Sequence, residues 1–414
     1  MRILHQILVL TCTATVPVIL SIAFHAHSYK SPSKPDDSVP STKSTAPNDI
    51  ASKIDAIFSP LTDANSPGVA VLVIRNGKKL FERGYGLQDL RTKTKIDQQT
   101  NSRLASCSKQ FTATSIMLLV HDGKLRYDQK LTDIFPDFPA YGNSISIRNL
   151  LNHTSGLPDY EELMEQAENN ASRNARKKWT EANQIQDQEV LALLKKTSSP
   201  IFPPGTKWAY SNSGYVVLGL IVAKISNQPF SDFLHDRIFA PLKMDHTVAY
   251  VKAKNEVPNR AYGHSKAPAG FKQTDQSSTS ATLGDGGIYS SLEDLAKWDE
   301  ALRTNKLLSK EEMQPALTPL NRRDNSQPHW PANSDRPEGS PVSYGFGWFL
   351  DPYKNHPRTW HYGESIGFHT YIVRFTDEHL TIIVLCNRTD LNPESLALQV
   401  ADLLLPRQSA PSTK

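Results

Sequence analysis

The sequence predicts an α+β fold, in which one antiparallel sheet is completed by both chain ends, flanked by helices and interrupted by an inserted, mainly helical lobe. Three observations predict it. Near the N-terminal end, Val69 to Ile74 is an apolar run, Asn76-Gly77 has the character of a type I′ turn, and Lys79 to Gly84 returns. Near the other end, Tyr371 to Phe375 and Thr381 to Cys386 form a second strand pair around Asp377-Glu378. The material between them reads mostly as helix, and terminal strands around a helical middle fit one sheet with an inserted lobe.

Composition sets the frame for this reading. A chain of 414 residues with 38% hydrophobic side chains can bury one or two sizeable cores without a disulfide or metal staple. Its 46 basic and 42 acidic residues leave a net charge of +4, and no dense Lys/Arg run interleaved with aromatics points to nucleic acid. No internal repeat argues for a solenoid or propeller. The three cysteines, Cys12, Cys107 and Cys386, form neither a disulfide framework nor a CxxC pair. The histidines include no His-Glu-x-x-His, so no metal site is expected.

The termini differ from the rest. In residues 1–27 Arg2 is the only charged side chain, and Ile7 to Phe24 is an uncharged run of 18 residues that ends near small residues. This is the pattern of a secretory signal, and it is just long enough for an uncleaved membrane anchor. Residues 28–48 are rich in Ser, Pro and Lys, and they bury too little to offset their ordering entropy, which predicts a tether. The folded domain is expected over 49–406, followed by a polar tail at 407–414. Two polar stretches inside it, Glu161 to Gln188 and Asn321 to Val342, read as solvated surface excursions that help to wall a pocket.

The chemistry is carried by three short contexts in order. In the first, Leu104-Ala105-Ser106-Cys107-Ser108-Lys109-Gln110-Phe111-Thr112 opens a helix that Asp122-Gly123 stops. Ser106 and Lys109, three apart, share one helical face. A serine hydroxyl attacks only when a base takes its proton, and a lysine can be that base if burial lowers its pKa from about 10.4. At a helix N-terminus the Ser106 amide also faces a developing oxyanion. The second context is Pro204-Gly205-Thr206-Lys207-Trp208-Ala209-Tyr210-Ser211-Asn212, directly before the apolar run Tyr215 to Ala223. The third is Trp360-His361-Tyr362-Gly363-Glu364-Ser365-Ile366-Gly367-Phe368, which enters the terminal strands. Each motif alone is common: Ser31-Pro32-Ser33-Lys34 matches Ser-x-x-Lys equally well. Cys107, next to Ser106, is expected to be a packing residue, and His153 a structural residue in a tight turn. Gly284-Asp285-Gly286-Gly287 is expected to be a turn at the sheet edge.

In this order the chain resembles the serine β-lactamase and penicillin-binding-protein superfamily. Its closest likeness there is to the class C β-lactamase, D-Ala-D-Ala carboxypeptidase and esterase branch. Leu151 to Leu157, Gly286 to Ser291 and Tyr344 to Trp348 add to the likeness. The resemblance implies the β-lactamase/transpeptidase-like fold and roles for particular residues. Ser106 would be the acylated nucleophile, Lys109 would move its proton, and Tyr210 would act as general base or acid. Asn212 would bind the acyl-side amide of the substrate, and the backbone N–H groups of Ser106 and Glu364 would hold the oxyanion. His361 and Gly363 would lie on the edge strand at the substrate, with His361 where many members carry lysine. A histidine near its ordinary pKa of about 6.5 would then make carboxylate binding depend on pH. The implied activity is an exported serine hydrolase, periplasmic or extracellular, of the D-Ala-D-Ala carboxypeptidase, D-peptidase or carboxylic esterase type. Its expected partners are small-molecule or peptidyl substrates, peptidoglycan fragments among them. A class C-like β-lactamase and a non-catalytic binding or scaffolding protein remain as alternatives.

Overall fold

The computed structural model describes residues 47–170, 178–320, 326–330 and 336–406. The expected leader, the tether as far as residue 46 and the tail at 407–414 lie outside the described residues. Seven helices of at least eight residues are labelled α1 (Pro47–Phe58), α2 (Lys109–His121), α3 (Tyr160–Asn170), α4 (Asp187–Leu194), α5 (Asn212–Ser226), α6 (Leu292–Arg303) and α7 (Pro393–Leu404). None of them is long and apolar enough to cross a membrane. Helix α1 starts two residues earlier than the expected domain boundary.

The sheet is built as the two terminal strand pairs predict. β1 (Val69–Arg75) and β2 (Lys78–Tyr85) form the first hairpin, with Asn76 and Gly77 both at positive φ in its turn, 52° and 72°. Five short strands follow: β3 (Leu87–Asp89), β4 (Thr94–Lys95), β5 (Ser102–Arg103), β6 (Val248–Ala249) and β7 (His264–Ala267). β8 (Gly270–Gln273) and β9 (Ile288–Ser290) come next, before the C-terminal β10 (Arg358–Ser365), β11 (Phe368–Phe375) and β12 (Leu380–Cys386). The main sheet runs β10-β11-β12-β1-β2, every pair antiparallel, so a strand from each end of the domain meets at its centre.

Strand alternation sorts the core into two layers. Val69, Val71 and Val73 of β1 join Val373, Ile382 and Val384 against α1 and α7. Ala70, Leu72 and Ile74 face the opposite way, with Ile372, Ile383 and Leu385, into the layer built around α2 and α5. Helix α2 is buried on nearly all sides, from Lys109 to Leu119, as a helix at the centre of a lobe must be.

The two polar stretches are more integrated than surface excursions. The described part of the first opens as α3, which buries Leu163 and Met164. In the second, Trp330 is buried, edge-on to Trp208 at 4.9 Å and stacked on Phe349 at 5.5 Å, and Val342 is buried with them. Apolar residues spaced too widely for a periodic pattern hold both stretches to the core.

Asn387, one of three Asn-x-Ser/Thr positions, is fully buried and acts as a splice between elements. Its Oδ1 accepts from Gly68 N at 2.7 Å, and its Nδ2 donates to Leu87 O at 3.0 Å and Tyr262 O at 2.9 Å. Asn387→Ala is expected to lower stability by about 3 kcal/mol, because it strands buried backbone groups. The denaturation midpoint should fall with an unchanged slope, and an unchanged midpoint would show that the splice is dispensable.

Candidate active site

Ser106 sits in a single 3₁₀ turn, Ala105–Ser108, that continues into α2. The helix expected there thus opens one turn tighter than an α-helix. Ala105 before it has φ of 47°, a strained left-handed conformation for a residue with a Cβ. Neighbouring strands fix the turn. Leu104 N donates to Ile288 O at 2.8 Å, and Ser108 Oγ accepts from Ile288 N at 3.2 Å. Cys107 turns away from the pocket into the core, its Sγ at 3.3 Å from His361 O, and burial pushes its thiol far up. It is a packing residue, as expected.

Lys109 is 0% exposed, yet its ammonium has three acceptors: Ser106 Oγ at 3.0 Å, Asn212 Oδ1 at 2.9 Å and the Asp285 carbonyl at 2.9 Å. Burial lowers its pKa to about 8, opposed in part by the charges of Asp285 and Asp159. At pH 7 about one molecule in ten then carries a neutral amine beside the serine hydroxyl.

Asn212 opens α5, and Ser211 caps that helix by accepting from Gly214 N at 3.1 Å. With Oδ1 committed to Lys109, Asn212 has its N–H pair to offer a substrate. Tyr210 lies two residues earlier, its ring 4.9 Å from the Lys109 ammonium. Its hydroxyl is buried with no hydrogen-bond partner within 3.5 Å among the described residues. Burial pushes its pKa well above the usual value, Tyr362 adds to the push, and the neighbouring Ser106 hydroxyl opposes it only in part. Tyr210 is therefore a neutral phenol at neutral pH, suited to give a proton.

His153 positions this loop, as the structural role expected for it requires. Its φ is 61°, its carbonyl accepts from Ala209 N at 3.0 Å, and its Nδ1 accepts from Ser211 N at 3.1 Å. Its ring packs on Tyr210 at 4.4 Å and on Tyr344 at 4.6 Å.

On the other side, β10 is the edge strand, as the motif order implies. A Cβ on Gly363 would lie 2.1 Å from Leu104 O and 3.2 Å from Ser106 N, so only glycine lets the strand lie flush against the Ser106 turn. Glu364, next along, is exposed at the cavity mouth.

His361 departs from expectation. It is 0% exposed, its Nδ1 lies 2.6 Å from Tyr362 O, and its Nε2 lies 3.1 Å from Tyr344 Oη. The Tyr362 carbonyl must accept, so Nδ1 carries the hydrogen and Nε2 accepts from the phenol. Burial, with the nearby Lys109 charge, lowers its pKa to about 3. A histidine titrating near neutrality against a substrate carboxylate is thus replaced by a neutral one behind the site.

A cavity of about 190 Å³ opens in front of Ser106, lined by Asn212, Glu364, Arg103, Tyr160, Glu161 and Asp285 among others. Lys109, Tyr210 and His361 stand behind it. Most of its far wall comes from Ser277 to Gly286, whose last residues belong to the expected turn Gly284-Asp285-Gly286-Gly287, and α3 supplies Tyr160 and Glu161. Of the second polar stretch, no described residue lines it. Asp285 was missed because it serves Lys109 through a carbonyl, which every residue has. Tyr344 lay within a stretch noted only for its likeness. No group of described residues could hold a metal ion.

The fold, and a Ser-x-x-Lys pair closed by a Tyr-x-Asn loop and a glycine on the edge strand, define a serine acyl-transfer enzyme. The comparisons agree: residues 54–405 match the Beta-lactamase family model, and the chain belongs to that family. It is 30% identical over 369 residues to penicillin-binding protein 4* of Bacillus subtilis, covering 85% of this chain and 75% of that one. It superposes on D-amino acid amidase from Ochrobactrum anthropi SV3 with a TM-score of 0.67 at 26% identity, over 86% of this chain and 96% of the other. An octameric penicillin-binding protein homologue from Pyrococcus abyssi shares the fold, with a TM-score of 0.69 at 22% identity over 87% and 77% of the two chains.

Two outcomes are expected. If neutral Lys109 takes the proton of Ser106, kcat/KM for an uncharged substrate should rise about tenfold per pH unit and level near pH 8, with no inflection near 6.5. An inflection near 6.5 in initial rates would return a titrating histidine to the site. Gly363→Ala should lower kcat about a hundredfold, since the strand must retreat from Ser106. A near-normal kcat would show that this close approach is not needed.

Proposed function

We propose that this chain is an exported serine hydrolase that cuts amide bonds on the carbonyl side of a D-amino acid, through an acyl-enzyme on Ser106. The observation that carries it is the pairing of a buried, lowered lysine with a tyrosine whose hydroxyl is buried and whose pKa is raised, at one serine. Ser106 Oγ attacks the carbonyl carbon, and its proton passes to Lys109 Nζ. The backbone N–H groups of Ser106 and Glu364 hold the oxyanion. The C–N bond breaks as Tyr210 Oη gives its proton to the departing amine, and the proton on Lys109 replaces it. Water then enters by the reverse route and frees the acid.

An alcohol leaves without much help, whereas an amine leaves only when protonated. A phenol kept neutral by burial therefore suits amides and peptides better than esters. The likeness to a penicillin-binding protein and to a D-amino acid amidase supports D-configured substrates, peptidoglycan peptides among them, and the N-terminal leader supports export. Buried, neutral His361 supplies no cation for the carboxylate of a β-lactam, which favours a peptidase that β-lactams acylate over one that turns them over rapidly.

Intact mass after incubation of the full chain with benzylpenicillin should show an adduct that lasts for minutes, absent in Ser106→Ala. Rapid turnover would make the protein a β-lactamase, and no adduct together with no amide hydrolysis would end the catalytic reading. Tyr210→Phe should slow a D-aminoacyl amide by about 10²–10³-fold and the matching ester by much less. Equal losses on both would remove Tyr210 as the acid to the amine.

A further inference from the structure

The cavity in front of Ser106 contains a cation that the acyl-transfer chemistry does not use. Arg103, on β5 three residues before the nucleophile, lines that cavity although the residue is only 4% exposed. Its Nη2 donates to Ser280 O at 2.9 Å. Nε and Nη1 are buried and have no partner among the described residues. Tyr289, which it pairs with across β5 and β9, lies with its ring 5.8 Å from the guanidinium. Arg260, which lies over the same ring, has its charge paired with Asp275. A buried guanidinium is normally satisfied, because taking its N–H groups out of water unpaired is costly. Nη2 carries a second N–H besides the one that Ser280 takes, parallel to the N–H of Nε or to one N–H of Nη1, and that fork matches the two oxygens of a carboxylate.

The acids around the cavity leave that place open. Asp285 Oδ2 accepts from Tyr160 Oη at 3.2 Å, and its buried Oδ1 has no partner among the described residues. Glu161 and Glu364 are both exposed to solvent. A ligand that carries a carboxylate beside an amide N–H complements both sets of orphans, the anion on Arg103 and the N–H on Asp285. Tyr210, which protonates the leaving amine, does not line this cavity, so the cavity takes the acyl part of the substrate.

Resting on the acyl-transfer reading above, we propose that Arg103 is the anion-binding residue of the acyl pocket, so that the preferred acyl groups carry a carboxylate.

The test uses the full chain and two D-alanyl thioesters, one N-succinylated and one N-succinamoylated, which differ in a carboxylate against a carboxamide. Wild type should prefer the succinyl ester by at least about tenfold in kcat/KM. Arg103→Gln should bring the ratio to about one, and Arg103→Lys, which keeps the charge but loses the fork, should lower it severalfold. A wild-type ratio of one or below overturns the proposal, as does a variant that keeps the wild-type ratio. If Arg103→Gln does not fold, Arg103→Lys and the wild-type ratio decide. Intact mass separates the two levels of failure. If neither ester acylates Ser106, the acyl-transfer reading falls and takes this one with it. If both acylate Ser106 at equal rates, only the role of Arg103 falls.

Discussion

A lysine ammonium with no exposed surface is the constraint around which the site is assembled. Left unpaired in the interior it would be very costly, and the fold meets it with three oxygens from three separate segments. Ser106 comes from the turn before α2, Asn212 from the start of α5, and Asp285 from the loop before β9. None of these segments is near another in sequence, so satisfying Lys109 docks all three together. The burial that demands the clamp also lowers the lysine to about 8, which makes it useful as a base near neutral pH. Structure and chemistry here have one cause.

The same charge keeps its surroundings neutral. His153 and His361 are both driven down by burial first and by Lys109 next, so two imidazoles near Ser106 add no second cation. They serve as shaped polar packing. His153 holds the backbone of the Tyr210 loop, and His361 holds Tyr344 against the edge strand. A single positive charge behind Ser106, among rings, is a simpler field than the motif His-x-Gly suggests.

What was legible in the sequence follows from how local its cause is. The sheet could be read because its central strands are short, continuous apolar runs and its first turn carries Asn-Gly. Ser106, Lys109, Tyr210, Asn212 and Gly363 could be read because each sits in a short context whose order is informative. The burial of His361 could not, because it depends on Tyr344 and Phe349, which approach from another part of the chain. Asp285 contributes an oxygen common to all residues, and its Gly-rich setting reads only as a turn. The polar composition of the stretch at Glu161 concealed a helix whose few apolar residues, Leu163 and Met164, are enough to dock it.

The site therefore has two unlike halves on either side of Ser106. Behind the serine are rings, neutral imidazoles and a clamped lysine, each fixed by several neighbours, so a change there disturbs Ser106 itself. In front are hydroxyls, carboxylates and an arginine around a cavity, and several of their polar atoms have no partner within the described chain. A packed wall can hold reacting atoms in place but has little left to offer a ligand. A polar wall with unused donors and acceptors tolerates substitution and gains its partners from whatever it binds. This division explains why the reaction can be read from short motifs while the choice of substrate depends on segments that meet only in the folded chain.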